Sequence, residues 1–173
     1  RYKEGYGISV AGIEYAKKEG VQLIIAMDCG IKAATEVELA SEYRIDCIIC
    51  DHHLPDAVLP SAYAILNPKQ ASCAYPYKEL TGCGIAFKLA QAYQSRMVID
   101  WEELENLLDL LVVSIGCDIV PITGENRVMA YYGLKKLNTN PRFGLQALID
   151  ISGQTKPLSI RDTVFGLGPL INA

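Results

Sequence analysis

Apolar and polar positions along the chain follow two regimes. In the first, short apolar runs alternate with amphipathic segments. Ser9 can cap a helix running to about Lys18, with Gly20 as its stop. Residues 21–27 form a largely apolar run that ends at Asp28-Cys29-Gly30, which reads as a buried strand and its exit. Ile31 to Tyr43 is helical in pattern, with Ala33, Ala34, Val37 and Ala40 on one face. A second apolar run at 46–50 leads into Asp51-His52-His53, and a third, Tyr63-Ala64-Ile65-Leu66, stops at Asn67-Pro68. Strand, helix and strand joined by short connections predict parallel strands with a right-handed crossover.

The second regime is helical. A long loop over 69–80 precedes Thr81-Gly82-Cys83-Gly84, which opens a helix to about Tyr93. A glycine-rich helix entry either receives a phosphate on its free N–H groups or serves close packing of the helix start. Asp100, with Glu103 three residues on, has the spacing of a capping box. Leu104, Leu107, Leu108, Leu111 and Val112 then predict one helix over 102–115, and further helices are expected at 125–137, 142–151 and 159–166. The fold class is therefore α/β: a parallel sheet flanked by helices over 1–98, followed by a mostly helical half over 99–173.

Composition narrows the picture only in part. The chain has 173 residues, of which 50% are hydrophobic and 21% charged, enough for a sizeable core. No run approaches the roughly 20 apolar residues of a membrane span, so no membrane partner is expected. The net charge of −4 provides no general attraction to nucleic acid, so any such contact must be local. Six cysteines are scattered. Cys47 and Cys50 sit on a strand, where i and i+3 point to opposite faces. We read all six as reduced, which implies a cytoplasmic setting.

The candidate chemistry lies at the strand exits. Both histidines of the chain, His52 and His53, directly follow Asp51. An isolated Asp-His-His is more often a capping aspartate with surface histidines. Here a neighbouring strand also ends in a carboxylate, Asp28, and a third acidic residue, Asp118, follows the apolar segment 102–115. Ligands bind at the carboxyl rim of open parallel sheets. Carboxylates mixed with imidazoles suit Mn²⁺, Mg²⁺ or Zn²⁺ better than a thiolate-bound ion. Two such ions clamp the attacking and leaving oxygens of a phosphoryl displacement.

The segments Asp28-Cys29-Gly30, Asp51-His52-His53 and Gly116-Cys117-Asp118-Ile119-Val120-Pro121 resemble motifs of the DHH phosphoesterases. The residues 1–7, Asn67-Pro68, 80–86, Gly124-Glu125-Asn126-Arg127 and the closing 168–173 resemble the RecJ-type branch, single-stranded-DNA exonucleases. The resemblance implies a DHH-type fold and 5′-to-3′ hydrolysis of single-stranded DNA with two Mn²⁺ or Mg²⁺ ions. It implies Asp28, His52 and Asp118 as metal ligands, His53 facing the scissile phosphate, and Asp51 orienting the neighbouring imidazole. Arg1, Lys3 and Arg127 are expected phosphate contacts, and single-strand-binding proteins or helicases are expected partners of the intact protein. Other members of the superfamily cleave short oligonucleotides or cyclic dinucleotides, and a degenerate DHH domain can serve as a binding module. The family's first, Asp-rich motif is expected before Arg1 and its second, glycine-motif domain after Ala173. On that reading the chain is an internal fragment of the DHH domain and is inactive alone.

Overall fold

The computed structural model describes residues 5–171, and the chain divides into two compact units, Arg1–Lys78 and Glu79–Ala173. In the first unit, α1 (Val10–Lys18) is capped by the Ser9 side chain, which accepts from the Gly12 N–H at 3.1 Å. It leads to β1 (Leu23–Met27), α2 (Ala34–Glu42), β2 (Asp46–Cys50) and β3 (Ala64–Leu66). The strands form a parallel sheet in the order β1-β2-β3, with Leu23 opposite Asp46, Met27 opposite Cys50, and Cys50 opposite Leu66. The parallel sheet expected from the short connections is thus present.

The period-2 pattern of β2 sets the core. Cys47 and Ile49 share one face and pack with Ile13 and Ala16 of α1 and Val37 and Ala40 of α2. Each buried isoleucine or valine of this cluster contributes about 1.5–3 kcal/mol of apolar burial. β1 presents Ile24 and Ala26 inward, while Leu23, Ile25 and Met27 stay exposed on the other face. All six cysteines are free. Burial pushes the Cys47 and Cys50 thiols up, so both behave as small apolar groups.

The second unit is helical, as the pattern predicts. Its elements are α3 (Gly82–Met97), α4 (Trp101–Glu105), α5 (Leu108–Cys117), α6 (Gly124–Thr139), α7 (Phe143–Ser152), α8 (Ile160–Asp162), a π-wound turn over Thr163–Leu167, and α9 (Gly168–Ile171). α3 belongs to this unit. α5 is the central helix, with Leu111, Val112 and Ile115 fully enclosed. α6 packs closely along it at Gly133, where a Cβ would come within 2.5 Å of the Leu108 carbonyl oxygen and 2.6 Å of Val112 Cβ.

The single helix expected over 102–115 is broken at Asn106-Leu107. In a continuous helix the Leu110 N–H would bond the Asn106 carbonyl. Instead that carbonyl accepts from the Arg142 guanidinium at 2.6 Å, and the Leu110 N–H donates to Asp109 Oδ1 at 2.8 Å. Asp100 stands at the N-cap of α4, but its side chain makes no capping bond, so the expected capping box does not form. The glycine-rich entry to α3 is a packing device. Thr81 is fully buried and its hydroxyl accepts the Gly84 N–H at 2.9 Å. Among the described residues no helix is long and apolar enough to cross a membrane.

Candidate metal centre

The parallel register places the residues that follow the strands side by side. The Asp28 N–H donates to the Cys50 carbonyl at 2.8 Å, and the Asp51 N–H donates to the Leu66 carbonyl at 3.1 Å. The ladder therefore carries Asp28 and Asp51 to one rim, one residue beyond β1 and β2. Asp28 adopts φ +64°, a left-handed conformation that aspartate tolerates better than most residues. The Tyr6 hydroxyl donates to its carbonyl at 2.9 Å and helps hold it there. Gly30, at φ +106°, completes the turn, where a side chain would be strained and would meet Ile8.

Asp51 is 1% exposed and serves four donors. Its Oδ2 accepts the Ile31 N–H at 2.9 Å, and its Oδ1 accepts the His52 N–H at 2.8 Å and the His53 N–H at 3.2 Å. Oδ1 also lies 2.6 Å from His53 Nδ1. Burial pushes this carboxyl up, but hydrogen bonds from Ile31 and His53 outweigh it and hold Asp51 below the ordinary carboxylate value. An ionised Asp51 accepts only, so His53 Nδ1 carries the hydrogen, and in the neutral ring that tautomer places the lone pair on Nε2.

Asp28, His52 and His53 each offer one ligand atom, and these atoms lie within 4.8 Å of one another. His52 Nε2 stands 3.2 Å from Asp28 Oδ1. That oxygen is enclosed and takes no hydrogen bond. An enclosed carboxylate oxygen without a donor is costly unless a cation or proton shares it. One carboxylate and two imidazoles, with Asp51 behind one ring, are a donor set suited to a divalent first-row ion or Mg²⁺. The residues present therefore fit the metal that the resemblance implies. The Cys29 thiol beside them is pushed up by burial and by the carboxylates of Asp51 and Asp28, and is no ready thiolate.

Asp118 lies in the second unit, exposed at the C-cap of α5. The loop after it is tied by Asn126, whose buried amide donates to the carbonyls of Pro121 at 3.1 Å and Glu79 at 2.6 Å. Arg127 is exposed on α6. Arg1 and Lys3 lie outside the described residues. Two contributors carry no chemical signature in the sequence: Tyr6, and Asn67, whose amide donates to the His53 carbonyl. Asn67 could have been found by analogy, because it follows β3 as Asp28 follows β1 and Asp51 follows β2.

A three-stranded parallel sheet with carboxylates and imidazoles gathered at its carboxyl rim defines an α/β domain built around a candidate divalent-cation centre. Comparison with known proteins places it further. The profile of the DHH family, N-terminal domain, matches residues 3–115, and the chain belongs to that family. It is 42% identical over 174 residues to the single-stranded-DNA-specific exonuclease RecJ of Bacillus subtilis (strain 168), a match covering 100% of this chain and 21% of that protein. The RecJ of Escherichia coli (strain K12) is 35% identical over 184 residues, covering 100% of this chain and 32% of that protein. The chain thus spans about a fifth to a third of the length of these relatives. A crystal structure of exonuclease RecJ bound to manganese has a TM-score of 0.84 at 28% identity, covering 99% of this chain and 43% of that one.

Proposed function

We propose that the chain is the cation-holding part of a RecJ-like enzyme that hydrolyses single-stranded DNA from its 5′ end. The observation that carries this reading is the enclosed Asp28 Oδ1, without a hydrogen bond, beside His52 and His53 at a parallel-sheet rim. The names of the similar proteins support the substrate, and the manganese of the similar solved structure supports the ion. In this reading Asp28 and His52 hold Mn²⁺ or Mg²⁺, two ions in the intact protein, with Asp118 as a further carboxylate ligand. Such an ion supplies Lewis-acid charge at a phosphoryl oxygen and lowers the pKa of its water.

The chain's own groups do the rest. Asp51 holds the His53 ring with Nδ1 protonated, which leaves Nε2 as the atom that meets the phosphate or its ion. Asp28 is held in its left-handed turn by bonds to its own N–H and carbonyl. With a net charge of −4, affinity for DNA must come from local cations, and Arg1, Lys3 and Arg127 are the proposed contacts. The proposed partner is single-stranded DNA in a cytoplasmic setting, in keeping with six unpaired cysteines.

Calorimetric titration with Mn²⁺ tests the site. Asp28→Ala and His52→Ala should each weaken binding by at least tenfold and, in the full-length protein, abolish release of nucleotides from 5′-phosphorylated single strands. Unchanged Mn²⁺ affinity in Asp28→Ala would refute the site. Digestion of cyclic dinucleotides in preference to single strands would move the substrate to the other branch of the superfamily.

A further inference from the structure

Asn67 is 2% exposed and stands directly after β3, at the same rim as Asp28 and Asp51. Pro68 follows it and biases its backbone toward the extended form, which continues the strand direction. Its side-chain Nδ2 donates to the His53 carbonyl at 2.9 Å, and its Oδ1 accepts the Lys69 N–H at 2.8 Å. These partners leave the amide one orientation. Turned over, it would set donor against donor at Lys69 and acceptor against acceptor at His53. His53 is therefore held from both sides, its N–H and Nδ1 by Asp51 and its carbonyl by Asn67.

We infer that Asn67 is a positioning residue for the metal centre: through the His53 carbonyl it fixes the His53 imidazole against Asp51 and so presents Nε2 to the ion. The inference rests on the reading of Asp28, His52 and His53 as a cation site. The alternative role for Asn67 is confined to the turn, where it closes residues 67–70 through Lys69 and Gln70. The two roles separate chemically. Aspartate keeps the acceptor for the Lys69 N–H but has no donor for the His53 carbonyl, so Asn67→Asp removes the link to His53 and preserves the turn.

The experiment compares the parent protein with Asn67→Asp, Asn67→Ser and a core control, Ile13→Val, which loosens the same unit away from the rim. Imidazole ¹⁵N shifts report the His53 tautomer, and calorimetric titration with MnCl₂ alone reports affinity. The expected result is a fixed Nδ1–H signature for His53 in the parent and the control, and an averaged one in both Asn67 variants. Mn²⁺ affinity should fall tenfold to a hundredfold in the folded Asn67 variants, the range for loss of a group that orients a ligand, and stay unchanged in the control. A folded Asn67→Asp protein with the parent's His53 signature and Mn²⁺ affinity overturns the inference. If the parent binds no Mn²⁺, the cation-site reading fails by itself, and the His53 signature alone decides Asn67. If neither variant folds, the parent decides: the Asn67 side-chain amide should exchange slowly and show coupling through the hydrogen bond to the His53 carbonyl. A freely exchanging amide without that coupling refutes the inference.

Discussion

Replacing Asp51 with Asn keeps the shape of the side chain and removes its charge and one acceptor. The structure indicates how the amide should settle. With its oxygen toward the three donors of His52 and His53, its NH₂ faces the Ile31 N–H, which is buried with the 1%-exposed Ile31. The reverse orientation leaves three donors without an acceptor, so the first should prevail. A buried N–H without a partner costs about 1–3 kcal/mol, and exchanging charged for neutral acceptors weakens the remaining bonds by roughly 1 kcal/mol in total. Asp51→Asn should therefore lose about 2–4 kcal/mol. It should also weaken Mn²⁺ binding by about 10–100-fold, because His53 is no longer oriented by a carboxylate. Urea unfolding followed by circular dichroism measures the first effect and calorimetry the second. A variant within about 0.5 kcal/mol of the parent, the ordinary range for a substitution away from such features, with unaltered affinity, would mean that the carboxylate does not hold this loop.

The remaining predictions concern stability. Arg142 makes three bonds to the fully enclosed Asp109 carboxylate, so Arg142→Ala strands a buried charge. The backbone N–H bond survives and the guanidinium is partly solvated, so the loss should be about 3 kcal/mol, the low end for a broken buried pair. A midpoint shift equivalent to less than about 1 kcal/mol, the range of a surface pair, would contradict this. Gly133→Ala gains about 1 kcal/mol of helix propensity but drives a Cβ into the Leu108 carbonyl and Val112, a backbone contact that no rotamer relieves. It should be destabilising by about 1–2 kcal/mol in urea titration, and a stabilised variant would show that α5 and α6 separate easily. Asp51 also predicts a pH dependence. Its folded pKa is depressed, so the stability it contributes is complete above the ordinary carboxylate value of about 3.9 and is lost as pH falls through the lower folded value. As pH falls below about 4, the parent should lose more stability than Asp51→Asn, and equal losses would assign the acid sensitivity to other groups.

The elements and much of the candidate site could be read along the chain. The apolar runs before Asp28 and Asp51 and the short connections around α2 determine parallel neighbouring strands, because a crossover of that length permits little else. Parallel register then forces the residues after each strand to one rim, so pairing Asp28 with Asp51-His52-His53 needed only local pattern. What only the tertiary structure decided are relations without a local cause. The helix over 102–115 has a continuous apolar stripe, yet it breaks because Arg142, far along the chain, takes the Asn106 carbonyl. The glycines at 82 and 84 suit a phosphate or close packing equally in sequence, and a buried Thr81 selects packing. The resemblance implies that Asp51 orients the neighbouring imidazole, and the folded chain adds a second duty, the Ile31 N–H on its other oxygen. Asn67 reads as a strand stop, and its reach to His53 depends on β3 lying beside β2. Patterns of period 2 and 3.6 specify which face a residue occupies, whereas the partner of a buried polar atom depends on which distant donor the completed fold brings within about 3 Å.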